Sequence, residues 1–171
     1  MKNSILILLF FIFLFTASCK KEETPLSQLP KPTTEGRNIF GCLVNGEVWT
    51  PAGANSIGGI PKLRASYEDH IKLFNISAKR EITENGINQF MAFGDIINGV
   101  GEYTMTKKNI YTDFNCAFYH LDTLKDRVLR ITHFEPSNRI ISGTFEFSAI
   151  STDMDCPDTI QVTEGRFDIT Y

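Results

Sequence analysis

The chain has 171 residues, a formal net charge of −3 and four cysteines. That length suits a single domain, able to bury roughly 70% of the surface its unfolded chain exposes. Slight acidity gives no electrostatic footprint for nucleic acid, and no Cys-x-x-Cys or His-x-x-x-His spacing offers a zinc site.

Met1, Lys2, Asn3 and Ser4 precede an unbroken apolar run from Ile5 to Phe15. A membrane-spanning helix needs about 20 apolar residues, whereas a basic start, about 7 to 15 apolar residues and a small-residue end make a secretory signal. Ala17, Ser18 and Cys19 supply that end, so residues 1–18 read as a signal peptide. Phe15-Thr16-Ala17-Ser18-Cys19 resembles the processing site of bacterial lipoproteins, in which the cysteine receives lipid such as palmitate and becomes the new N-terminus. Thr16 stands where most such sites carry an aliphatic residue, a looser form met in Bacteroidota. The resemblance implies lipidation at Cys19 and attachment to the outer membrane. A secreted chain cleaved near Ser18, with Cys19 a plain thiol, is the alternative.

From Lys20 to Arg37 the sequence has three prolines, seven charged residues and two large apolar ones, Leu26 and Leu29. Such a segment buries too little to fold alone and favours extended conformations of about 3.1 Å per residue. Residues 19–37 therefore read as a disordered, lipid-anchored tether reaching up to roughly 55 Å. Lys21-Glu22-Glu23 resembles the export tag that sends Bacteroidota lipoproteins to the outer face of the outer membrane. Cell-surface and periplasmic orientations both stay open.

Residues 38–171 read as one β domain. FGCLV-NG-EVWTP predicts a hairpin that sets Cys42 opposite Trp49, because Asn-Gly supplies the two positive-φ residues of a type I′ turn. Ala52 to Gly59, rich in glycine and small residues, reads as a flexible loop. Strands are expected at Leu63 to Ser66, His70 to Ala78, Ile87 to Phe93, Glu102 to Thr106, Tyr111 to Tyr119 and Arg127 to Phe134, with turns at Asn85-Gly86, Asn98-Gly99 and Ser137-Asn138. Arg139 to Ile150 alternates, placing Ile141, Gly143, Phe145, Phe147 and Ala149 on one face and Ser142, Thr144, Glu146 and Ser148 on the other, as in a half-buried antiparallel strand. Ile160–Thr163 and Arg166–Tyr171 flank Glu164-Gly165 and pair as a hairpin that opposes Val162 to Phe167 and Ile160 to Ile169. About ten consecutive strands give an all-β antiparallel meander, forming a β-sandwich or a β-barrel.

Lipid on Cys19 leaves Cys42, Cys116 and Cys156 in an oxidising compartment, which suggests one disulfide and one leftover thiol; spacing does not decide which two pair. His133 shares strand parity with Glu135, and His120 with Asp122, the placement of a metal or acid–base pair but also of a solvated polar face. His70 stands apart from both. Asp153, Asp155 and Asp158 offer oxygen ligands for calcium but lack the glycine spacing of an EF-hand. Phe90, Phe93, Tyr111, Phe114, Phe118 and Tyr119 crowd the middle strands; Phe114 and Phe118 share one parity and Tyr111 and Tyr119 the other, so one face can present aromatics. No nucleophile elbow or phosphate loop occurs. No catalytic, cofactor-binding or metal residue is assigned, and no cofactor is expected.

FGCLVNGEVWTP, RIISGTFEFSAI and VTEGRFDITY resemble a family of Bacteroidota outer-membrane lipoproteins built from a signal, a lipidated cysteine and a single β domain of unknown function. The resemblance implies location and architecture and carries no activity. The expected function is a non-enzymatic, envelope-anchored binding or structural module, partnered with the membrane through Cys19 and with a glycan, a protein or a small apolar ligand. A lipocalin-like carrier of a small apolar ligand and a hydrolase using His133 or His120 with carboxylates are the alternatives.

Overall fold

The computed structural model describes residues 24–53, 61–106, 109–114, 116, 118–151, 153 and 156–171. The signal peptide, Cys19, the Lys21-Glu22-Glu23 motif, Asp155 and most of the Ala52 to Gly59 loop lie outside the described residues. A single helical turn, α1 (Pro25–Gln28), is followed by β1 (Ile39–Val44), β2 (Glu47–Trp49), β3 (Leu63–Glu68), β4 (Leu73–Ile82), β5 (Ile87–Ile96), β6 (Gly101–Thr104), β7 (Asn109–Asp113), β8 (Phe118–Leu121), β9 (Arg127–Glu135), β10 (Ile140–Ser151) and β11 (Thr159–Thr170). The fold is all-β, and its strands pair antiparallel in one sheet that does not close.

The sheet runs β2-β1-β11-β10-β8-β7-β5-β4-β3, and it branches at β10. Residues 140–147 of β10 pair with β9, which pairs in turn with β6, whereas Ala149, Ile150 and Ser151 pair with β8. A strand of 12 residues is long enough to carry two neighbours in succession along one edge. Ala52, just beyond β2 at one end of the main path, forms an isolated parallel bridge with Arg80 of β4, the strand next to the other end.

Alternation in β10 follows the sequence: Ile141, Phe145, Phe147 and Ala149 are buried and Glu146 is exposed. Their inward face meets an aromatic cluster in which Phe93 and Phe145 lie 4.5 Å apart between centroids, Phe40 and Phe145 5.1 Å, and Phe74 and Phe167 5.6 Å. Cys42 does face Trp49 across β1 and β2, and the turn between them has φ of 50° at Asn45 and 84° at Gly46, as the Asn-Gly signal requires.

Two expectations are corrected. The C-terminal hairpin does not form: residues 159–170 are one strand, and Val162 and Phe167 both pair with β10, opposite Phe147 and Gly143. Glu164 adopts φ 54°, and the β10–β11 register shifts beside it, so Glu164-Gly165 forms a bulge. A bulge switches the buried set from Ile160 and Val162 to Gly165, Phe167 and Ile169, the same parity change a two-residue turn would give. Gly165 is needed because a Cβ there would stand 2.4 Å from the Phe145 carbonyl oxygen and 2.6 Å from its ring. Gly165→Ala should therefore cost about 1 to 3 kcal/mol in chemical denaturation, the usual range for overpacking.

The second correction concerns Tyr111 to Tyr119, which is two strands and not one. Tyr111 and Tyr119 pair across β7 and β8 and are buried, with ring centroids 5.6 Å apart, whereas Phe114 and Phe118 are exposed. The intervening loop holds Cys116, which is disulfide-bonded to Cys156 in the β10–β11 connection.

Residues 24–37 lie against the sheet. Leu29 is buried, and Pro30 packs over Gly41 on the outer face of β1. Farther on, the side chain of Asp168 in β11 accepts hydrogen bonds from Thr33 Oγ1 (2.5 Å), Ser142 Oγ (2.8 Å) and the backbone N–H groups of Glu35 (3.1 Å), Gly36 (2.8 Å) and Arg37 (3.0 Å). Ser142 and Asp168 occupy polar-face positions yet are buried, because this segment covers them. The part of the expected free tether that runs through Leu29 and Thr33–Arg37 is thus bonded to the domain.

Candidate functional site

Inward-facing positions alternate along each strand, so the residues that share the core face can be read from the buried ones. On β4 these are Phe74, Ile76 and Ala78, and the next in the series is Arg80. On β5 the series Phe93, Met91 continues to Gln89; on β7 Tyr111 continues to Asp113; on β2 Trp49 continues to Glu47. Apolar core thus gives way at one end of the sheet to a layer of polar side chains from four strands.

These side chains are held in place by one another. Trp49 Nε1 donates to Gln89 Oε1 (2.9 Å), and Gln89 Nε2 donates to Asp113 Oδ2 (3.0 Å), so both ends of the amide are engaged. Arg80 Nη1 donates to the Val48 carbonyl (2.6 Å). The backbone of β4 is clamped on either side of Arg80, because Ala52 N–H donates to Lys79 O and Glu81 N–H to Ala52 O, each at 3.1 Å. Beside these groups lies a cleft of about 230 Å³, lined by Val44, Glu47, Trp49, Arg80, Gln89 and Tyr111 among others.

The electrostatics of the cleft centre on Arg80. Burial pushes the Cys42 thiol and the Tyr111 phenol well above their ordinary values, and the Arg80 guanidinium partly offsets both shifts. Cys42 is therefore a protonated, unreactive thiol packed in the core. Carboxylates pair elsewhere: Glu81 with Lys79, Glu102 with Arg130, Glu164 with Arg166, Glu35 with Arg37 and Asp69 with Lys72. Among the described residues Arg80 has no carboxylate partner, and its Nε is buried without an acceptor.

The sequence-level candidates are dispersed. His133 Nε2 lies 3.5 Å from Glu135 Oε2 on β9, both partly exposed. His120 belongs to β8 and stands opposite Ile150, while Asp122 caps the following turn by accepting from the Leu124 N–H. His70 lies in the β3–β4 turn. Among the described residues no group of three or more His, Cys, Asp or Glu side chains is placed to hold a metal. The Arg80 cleft was not singled out from sequence; the available signal was an arginine at a core-facing parity in LFNISAKREI. A larger recess, about 510 Å³, lies between Pro30, Thr50, Pro51, Pro61 and Lys62.

Comparison of the chain with protein-family models, with curated proteins and with solved structures returns no match. The functional reading therefore rests on the residues themselves.

Proposed function

We propose that the chain is a bacterial envelope lipoprotein, attached to the outer membrane through lipid on Cys19, that presents a non-catalytic β binding domain. The observation that carries this reading is the strap formed by residues 24–37. A chain arriving from a membrane anchor meets the domain at once, because five peptide units separate Cys19 from Thr24 and can span no more than about 18 Å. From there it is fixed over β1 and bonded to Asp168 in β11, between β1 and β10. The domain then stands close to the lipid surface, not at the end of a long free leash.

The packed interior favours a module whose ligands bind at its surface or mouth over a carrier with a large internal cavity, since the aromatic rings of β1, β4, β5, β10 and β11 occupy the space between the strands. Expressed in a lipoprotein-processing bacterium, the chain should sediment with membranes, and Cys19→Ala should release it to the soluble fraction. Wild-type chain found in the soluble fraction would refute the anchor. Protease added to intact cells reads orientation: degradation places the domain on the cell surface, protection in the periplasm.

A further inference from the structure

Arg80 is the unusual residue of this core. Its cationic guanidinium sits at an inward-facing position in continuation of Phe74, Ile76 and Ala78. Half-buried cations of this kind are ordinarily offset by a carboxylate, because an unpaired charge out of water is costly. Here its side chain makes one hydrogen bond among the described residues, from Nη1 to the Val48 carbonyl, and Nε is buried with its donor unused. Gln89, paired with Arg80 across β4 and β5, cannot turn its amide to help, since it is committed at both ends to Trp49 and Asp113.

We propose that the cleft beside Arg80 binds a small monocarboxylate, its carboxylate on the guanidinium and its apolar body against Trp49, Tyr111 and the aliphatic wall of Val44. A guanidinium presents its donors as a planar fork that matches a carboxylate, and Arg80 is preorganised for that contact by its Nη1 bond and by the clamped backbone on either side of it. Glu47 and Asp113 share the layer, so a second negative charge on the ligand is repelled and a monoanion is selected. The volume of about 230 Å³ lies below the roughly 300 to 1,000 Å³ of drug-sized sites and fits an acid the size of benzoate or isovalerate. This inference goes beyond the anchored-module reading and holds whether or not Cys19 is acylated.

Trp49 is the only tryptophan of the chain and borders the cleft, so its emission reports occupancy directly. The full chain in detergent is titrated with benzoate, phenylacetate and isovalerate, and in parallel with benzamide, phenylacetamide and isovaleramide. At least one acid should give a saturable change, and its amide should bind at least tenfold more weakly. Arg80→Gln should weaken the acid at least tenfold and leave the amide unchanged, while Arg80→Lys, which keeps the charge but loses the fork, should fall between. Should Arg80→Gln fail to fold, the acid-to-amide ratio in the wild-type chain and the Arg80→Lys titration decide. No saturation with any of the three acids, equal binding of acid and amide, or an Arg80→Lys chain that binds as the wild type does would overturn the proposal. Because the readout needs no membrane, a wild-type chain that is found in the soluble fraction and still binds the acid would contradict the anchor and leave the cleft standing, whereas a membrane-bound chain that binds none of the acids would do the reverse.

Discussion

Asp168→Ala lowers the unfolding free energy by about 3 kcal/mol and opens the segment before β1 to protease and hydrogen exchange. Five donors converge on this one carboxylate, three of them successive backbone N–H groups at residues 35–37, an arrangement that forms an anion-holding concavity. Hydrogen bonds to a charged acceptor contribute about 1.5 to 3 kcal/mol each, and removing the acceptor strands its donors, although residues 33–37 can relax toward water and recover part of the loss. Asp168→Asn keeps the shape but turns an N–H₂ group on donors, so it should cost nearly as much.

The same residue gives the fold an acid dependence of definite sign. Burial alone would raise the Asp168 pKa; the bonds from Thr33, the Arg37 backbone, Ser142 and the Gly36 backbone outweigh it and hold the group down to about 2, against an ordinary 3.8. A depressed carboxyl pKa contributes stability that is complete above the unfolded value and is lost as pH falls through the folded one. Denaturation midpoints should thus drop between about pH 4 and pH 2, by about 2 kcal/mol in total for this group. In Asp168→Asn that component of the slope should be missing; an unchanged slope would show that other carboxylates govern acid unfolding.

Loss of the Cys116–Cys156 bond has the second large effect. It joins the β7–β8 loop to the β10–β11 connection across 40 residues of chain, with Cα atoms 5.8 Å apart. Chain-entropy arguments place the stabilisation from closing such a loop at about 4 kcal/mol, and typical measured values run from about 2 to 4. The double substitution Cys116→Ala, Cys156→Ala should lower stability within that range, and reduction of the wild type should match it. Thiol titration checks the assignment independently. Cys42 is buried opposite Trp49 and should be silent in the native chain, reacting only on denaturation.

What sequence conveyed was governed by whether a side chain's partner is a face or a point. β10 and the β1–β2 hairpin were legible because one face is buried, so alternation and the Asn-Gly turn fix register and orientation. The β11 error came from the same logic, since a bulge at Glu164-Gly165 and a two-residue turn both shift the apolar set by one position. Only the position of Phe145, whose ring excludes any side chain at residue 165, separates the two. Partners at Asp168 were illegible because three of them are backbone N–H groups lying 131 to 133 residues earlier, which leave no mark on residue type. Arg80 did leave a mark, a charge at a core-facing parity, but its meaning depended on Gln89 being held by Trp49 and Asp113 from other strands.

In the function proposed above, the strap and its clasp carry the domain on a chain that begins at a lipidated Cys19, and the mass of that first residue tests the proposal most directly. Mass spectrometry of the N-terminal peptide of the membrane-extracted protein should find a mature chain that begins at Cys19 and carries the added mass of thioether-linked lipid. A mature chain that begins elsewhere, or that begins at Cys19 with a free thiol, would contradict it.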